Sequence, residues 1–242
     1  MTPAPAAATL DWRRGDRYLA FSPHPDDAEL GCGGTLWQLA RGGAAVRIVV
    51  VTDGRLGTRD PALTPAEVAE LRAQEAAAAA NALSADLRRL GLPDGGPHDP
   101  YDLRDRLMRE IRLWRPDYVF ACDPWLPYEA HSDHRAVGLA AAEAALLSGL
   151  VHCAPDSGEP WTVAGILFYF PARTDILNPL SRDALAARER AIACHASQFA
   201  PGDPYLERLG REMADRGATL GSPAAEALHL RRRTDLHIPS PA

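Results

Sequence analysis

Two short stretches concentrate the residues able to do chemistry. The first reads Ser22-Pro23-His24-Pro25-Asp26-Asp27-Ala28-Glu29, and the second, far downstream, reads His131-Ser132-Asp133-His134. From one tight turn, His24 and Asp27 can address a single centre. One histidine of the second stretch then completes a two-histidine, one-carboxylate set, which leaves an open position on a catalytic zinc. Asp26 is left over beside such a metal. A structural metal site has no use for a spare carboxylate, whereas hydrolysis needs a general base. The plainer account of the first stretch is a proline-stiffened turn whose aspartate caps a helix. Adjacent carboxylates repel, however, and a cation is the simplest compensation. His98, His152, His229 and His237 have no comparable neighbours in sequence and read as structural or exposed.

The elements that must position these stretches alternate. Strand signals fall at 18–22, 46–51, 118–122 and 166–170, with a short edge strand at 86–90. Helical patterns fall at 33–41, 65–83, 103–114, 132–147 and near 182–195. The Pro-rich remainder is less regular. Alternation of this kind implies an α/β, Rossmann-like domain whose mostly parallel sheet carries helices on both faces. Ligands then bind beyond the carboxyl ends of the strands, where strand order reverses. If the first and fourth strands are neighbours there, the two stretches face each other across one crevice. A flexible tail is expected over residues 1–14 and a single catalytic domain over 15–242.

Composition narrows the classes. A net charge of -6 opposes general affinity for nucleic acid or anionic membranes. All 26 basic residues are arginine, so no lysine Schiff base or P-loop lysine exists. Four cysteines without a C-x-x-C pair read as free thiols. The start has no apolar leader segment and no apolar run is long enough to span a bilayer, so the expected location is cytoplasmic. Nothing in the sequence sets the oligomeric state, and a homo-oligomer is open.

The stretch PHPDDAELGCGGTL, followed by HSDHRAVG, resembles the PIG-L (LmbE-like) de-N-acetylase family. TDGRLGTRD, LRAQEAAAAANAL, LGLPDG and HASQF follow the same pattern, so the similarity runs over about 18–199. One departure is Ser132, where many members have proline. The resemblance implies a Rossmann-like fold, a catalytic zinc and hydrolysis of an N-acetyl group on a glucosamine-type sugar. By matching, His24, Asp27 and His134 hold zinc and Asp26 is the base. His131 stabilises the oxyanion or protonates the leaving amine, and Asp133 tunes His131. Among groups able to give up a proton here, arginine is excluded at neutral pH, which leaves Tyr128 and His131. An imidazolium can do both jobs, and a nearby Asp133 would raise its pKa.

The same ligand set suits ferrous iron, which could replace zinc. A non-catalytic metal- or sugar-binding module is the competing class; Asp26 and His131, neither needed as ligands, oppose it. Candidate substrate contacts are Arg55, Arg72, Asp94, Tyr128 and His195. Arg55 lies in a long polar loop after the second strand. Arg72 either reaches the pocket or pairs with Glu75 along its helix. Asp94 either binds sugar hydroxyls or shapes a turn. His195 and Gln198, one helical turn apart, would share a face. Acetylglucosamine linked to malate or inositol, a chitin-derived oligosaccharide and an antibiotic precursor all remain open as substrates.

Overall fold

The computed structural model describes residues 16–237; the tail expected over 1–14 lies outside them. Strands β1 (Arg17–Ser22), β2 (Ala45–Thr52), β3 (Asp86–Leu92), β4 (Tyr118–Cys122) and β5 (Gly165–Tyr169) alternate with helices α1 (Asp27–Arg41), α2 (Pro65–Ala82), α3 (Pro100–Trp114) and α4 (Ser132–Leu147). Then come β6 (Ile176–Leu180), α5 (Arg182–Ala193), α6 (Pro204–Ala218) and β7 (Ala224–Arg232). The sheet order is β3-β2-β1-β4-β5-β7-β6. The first five strands run parallel, and β7 is antiparallel to both β5 and β6.

Side-chain alternation along each strand builds two cores. Leu19, Phe21, Val49, Val119 and Phe168 point to the face covered by Leu103, Leu107 and Ile111 of α3 and Val137 and Ala141 of α4. Tyr18, Ala20, Ile48, Phe120 and Leu167 point to the opposite face, covered by α1, by Ala79 of α2 and by Ala191 of α5. Burial on both sides explains why β1, β2, β4 and β5 read as apolar runs, whereas the edge strand β3 is largely exposed. The chain leaves β1 outward to β2 and returns to its other side as β4, with Ala20 opposite Phe120. The reversal of strand order thus falls between β1 and β4, as expected.

Several boundaries differ from the sequence reading. α1 begins at Asp27, directly after the His24 turn, and not at 33. It is two helical pieces joined at Cys32, whose φ of -149° is non-helical. Glu226 accepts from the backbone amides of Gly34 and Thr35 at 2.9 and 2.8 Å, so it caps the second piece from β7. That partner is nearly two hundred residues away and invisible locally. Phe170, with φ of 50°, stops β5 at Tyr169. The region assigned no clear elements contains β6, α6 and β7; Pro179 within β6 sits on an edge strand, where a missing N–H is tolerated.

Candidate metal centre and cleft

The His24 turn is locked from within. Ser22 Oγ donates to the His24 carbonyl at 2.6 Å and accepts from the Ala28 amide at 3.0 Å. The end of β2 ties it down, because the Thr52 amide and hydroxyl both donate to the Pro23 carbonyl at 2.9 Å. Asp26 pays for the sharp exit with a φ of 133°, a strained value for a non-glycine residue. The second stretch opens α4. His131 is the N-cap, its Nδ1 accepting from the Asp133 amide at 3.3 Å.

Asp27 Oδ2 lies 3.1 Å from His24 Nδ1 and 3.3 Å from His134 Nε2. Ligand atoms on a tetrahedral ion with bonds of ~2.0–2.2 Å are separated by roughly 3.3–3.6 Å, so each of these two contacts has about the spacing of neighbouring ligands on a metal; His24, His131 and His134 also bring ring nitrogens within 4.8 Å of one another. The other side of the His24 ring faces Asp133 Oδ2 at 3.1 Å and Asp94 Oδ1 at 3.3 Å. Three carboxylates therefore surround one buried imidazole. Burial opposes a charged ring, yet hydrogen bonds to Asp133, Asp27 and Asp94 push the His24 pKa up to about 12. Burial likewise favours the neutral acid for Asp27, but hydrogen bonds from His134 and His24 hold it far below the usual range. An environment this hungry for positive charge fits a divalent cation. Asp94 and Asp133 also accept the amides of Leu56 and Gly95 at 3.1 and 2.9 Å, which suits partners of the ligand ring more than ligands.

Asp26 engages Arg72. Arg72 donates through Nη2 to Asp26 Oδ2 at 2.9 Å and to the Pro25 carbonyl at 2.7 Å, and through Nη1 to Gly54 O at 3.1 Å. Gly54 must be glycine: its φ is 67°, and a Cβ would come within 2.6 Å of the guanidinium. Burial and then the Asp27 charge raise the Asp26 pKa to about 7, with Arg72 pulling the other way. A cleft of about 310 Å³ opens here, lined by His24, Asp26, Leu56, Arg72, Asp94 and His131 among others.

Residues 19–145 match the family described as PIG-L: GlcNAc-PI de-N-acetylase. The diacetylchitobiose deacetylase of Thermococcus kodakarensis is 33% identical over 206 residues, covering 80% of this chain and 76% of that enzyme. The chain belongs to the PIG-L family of de-N-acetylases. Among solved structures, the N,N′-diacetylchitobiose deacetylase of Pyrococcus horikoshii superposes with a TM-score of 0.87 at 29% identity, covering 95% of this chain and 90% of that one. A 1D-myo-inositol 2-acetamido-2-deoxy-α-D-glucopyranoside deacetylase of Kineococcus radiotolerans is 28% identical over 79% of this chain and 62% of its own length.

This PIG-L chain corrects some residue assignments. The Asp133 carboxylate faces His24, not the His131 ring; only its backbone amide reaches His131. Burial, then the charges of His24 and His134, lower the His131 pKa below 6.5, overriding the opposite pull of Asp133. The lowered pKa favours the neutral ring, and because Nδ1 accepts the Asp133 amide, the proton of that form belongs on Nε2. Arg72 reaches the cleft, while Glu75 turns instead to Ser197, accepting its amide at 2.7 Å and its hydroxyl at 2.6 Å. Asp94 lines the cleft and Arg55 pairs with Asp53. Tyr128 projects wholly into solvent outside the cleft lining. His195 is buried beside Glu29 at 3.7 Å, beyond the end of α5, and Gln198 alone of that pair lines the cleft. His152 and His237 are exposed, and His229 pairs with Asp175 at 2.9 Å. Two partners were missed. Glu129 accepts the His131 amide at 2.8 Å and sits 3.1 Å from His134 Nδ1. Its place two residues before His131 was the available signal. His98, read as structural or exposed, is buried against Asp133 at 3.3 Å.

Proposed function

We propose that this N-deacetylase hydrolyses the acetamide of an N-acetylglucosamine unit at a zinc ion held by His24, Asp27 and His134, with 15–242 acting as one catalytic domain. The observation that carries the reading is the single oxygen Asp27 Oδ2 facing both His24 Nδ1 and His134 Nε2 while Asp26 stays outside the set, on the cleft wall. Zinc, or ferrous iron in its place, supplies Lewis-acid polarisation of the amide carbonyl and a more acidic water.

The chain's own groups do the rest. Asp26, oriented by Arg72, accepts the proton of the water that attacks the acetyl carbon. A carboxyl with a pKa near 7 can then return that proton to the departing amine. The acetyl leaves as acetate and the sugar keeps a free amine. His131 offers Nε2–H to the carbonyl oxygen as negative charge builds there, a role that needs no imidazolium. Asp94 and Arg72, on the cleft wall, are placed to meet sugar hydroxyls. A cytoplasmic setting agrees with the four free thiols, and among the described residues no helix is long and apolar enough to cross a membrane.

Diacetylchitobiose is the first substrate to test, given the relatives from Thermococcus and Pyrococcus; the inositol conjugate is second, given the Kineococcus relative. Acetate release should be measured from these, from free N-acetylglucosamine and from its malate conjugate. Release from at least one, lost with chelator and restored by zinc or ferrous iron, is the expected result. No release from any of them in the presence of either metal, or release untouched by exhaustive chelation, refutes the reading. Zinc content should also vanish in His24→Ala and Asp27→Ala.

A further inference from the structure

His98 lies in the loop between β3 and α3, outside both sequence stretches, with its side chain only 6% exposed. Its Nε2 faces Asp133 Oδ1 at 3.3 Å without hydrogen-bond geometry, and it has no hydrogen-bond partner among the described residues. Asp133 is fully buried, and its second oxygen takes His24 Nε2 at 3.1 Å and the Gly95 amide at 2.9 Å. A continuous line therefore runs from His98 through one carboxylate to the ring whose far nitrogen faces Asp27.

We propose that His98 is a positioning residue for the metal centre: it holds the Asp133 carboxylate in the orientation that turns His24 Nδ1 toward the metal. This rests on the metal-site reading above. A buried nitrogen without a hydrogen-bond partner costs free energy, so a small turn of the ring that closes a hydrogen bond onto the facing Asp133 oxygen is favoured. The carboxylate in turn needs donors on both oxygens to stay in one rotamer. Gly95 and His24 supply them to Oδ2; at Oδ1 the neighbouring Ser132 hydroxyl donates at a long 3.5 Å, and His98 Nε2 stands 3.3 Å away from another segment. The loop that delivers His98 is itself fixed. Gly95 has φ of 66°, and a Cβ there would strike Leu56 Cδ1 at 2.7 Å. One compact loop thus brings Asp94, the Gly95 amide and His98 to the same histidine–carboxylate pair. Outer-shell partners of this kind keep the ligand ring in one orientation and one tautomer.

The test is zinc affinity of the full chain, stripped of metal, measured by competition with a chromophoric chelator. His98→Phe keeps the ring's bulk and removes the nitrogen, whereas His98→Gln returns an N–H donor. Direct outer-shell partners change metal affinity by roughly 10–100-fold, so a group one step further out should cost ~3–10-fold in His98→Phe. His98→Gln should recover to within about twofold of the parent. Unchanged affinity in His98→Phe overturns the proposal. Equal losses in the Phe and Gln variants also overturn it, because packing and not hydrogen bonding would then be at work. His24→Ala separates the two levels. If it loses zinc while His98→Phe does not, only the role of His98 fails. If His24→Ala binds zinc like the parent, the metal-site reading fails and this proposal with it.

Discussion

Arg72→Met is the most discriminating single change, because it separates the service of Arg72 to the base from any contact with the sugar. Arg72 is 3% exposed, and its Nη2 is 2.9 Å from Asp26 Oδ2. With its pKa near 7, Asp26 is about half ionised at pH 7 and about one-tenth ionised at pH 6. An opposite charge at this range lowers a carboxyl pKa by ~1–3 units, so removing it should raise Asp26 by that amount. The ionised share at pH 7 then falls from about one-half to between ~one-tenth and ~one-thousandth. A bound dication lowers the limb in both proteins, so the comparison is made at one metal loading. The assay is kcat/KM for acetate release from pH 5 to 10. Parent activity should fall on the acid side of a limb at or below about 7. In Arg72→Met the limb should move to higher pH, with most activity recovered near pH 10. A loss of equal size at every pH, with the limb unmoved, refutes the reasoning and leaves Arg72 acting on substrate alone. As the reference, Asp26→Asn should lose ~10²–10⁴-fold in rate and keep its metal.

Three further outcomes follow from the geometry. His131→Ala should retain zinc and lose ~10²–10³-fold in kcat. Because the His131 pKa lies below 6.5, the parent should show no basic limb that this variant removes; finding one would restore a cationic role. Glu226→Ala strips the buried partner from Arg188, 3.5 Å away, and from the Gly34 and Thr35 amides. Denaturant unfolding should register a loss of ~3–5 kcal/mol, and a loss below ~1 kcal/mol would contradict the capping account. Burial opposes charge on His195, yet its contact with Glu29 raises its pKa above 6.5. The folded value exceeds the unfolded one, so this stabilisation is fully present below about 6.5 and fades as pH rises through the folded pKa. The Tm gap between the parent and His195→Phe should be wider at pH 5.5 than at pH 9; a gap that widens with pH would reverse the assignment.

The alternation of β1 to β5 with helices was legible because β1, β2, β4 and β5 are apolar runs buried on both faces and several helices carry local signals, such as the Thr64 cap and Pro65 that open α2. The His24 and His131 stretches were legible because each packs its chemistry-bearing residues into four positions, while the pairing of β1 with β4 is what brings the two stretches to one centre. β7 was not legible. Its register is set by pairing with β5 and β6, with Phe168 opposite His229 and Asn178 opposite Glu226, and by Glu226 reaching α1. Nor could the sequence say which oxygen of Asp133 faces which ring. A reading along the chain assigned that carboxylate to His131, its near neighbour. Folding instead turned it across the β1–β4 crevice to His24 and brought His98 in behind it. What local order determined was the inventory of ligands and base. What the tertiary structure decided was which partner each buried charge found, because a desolvated carboxylate goes to whichever donor the packed elements bring within reach, whatever its distance in sequence.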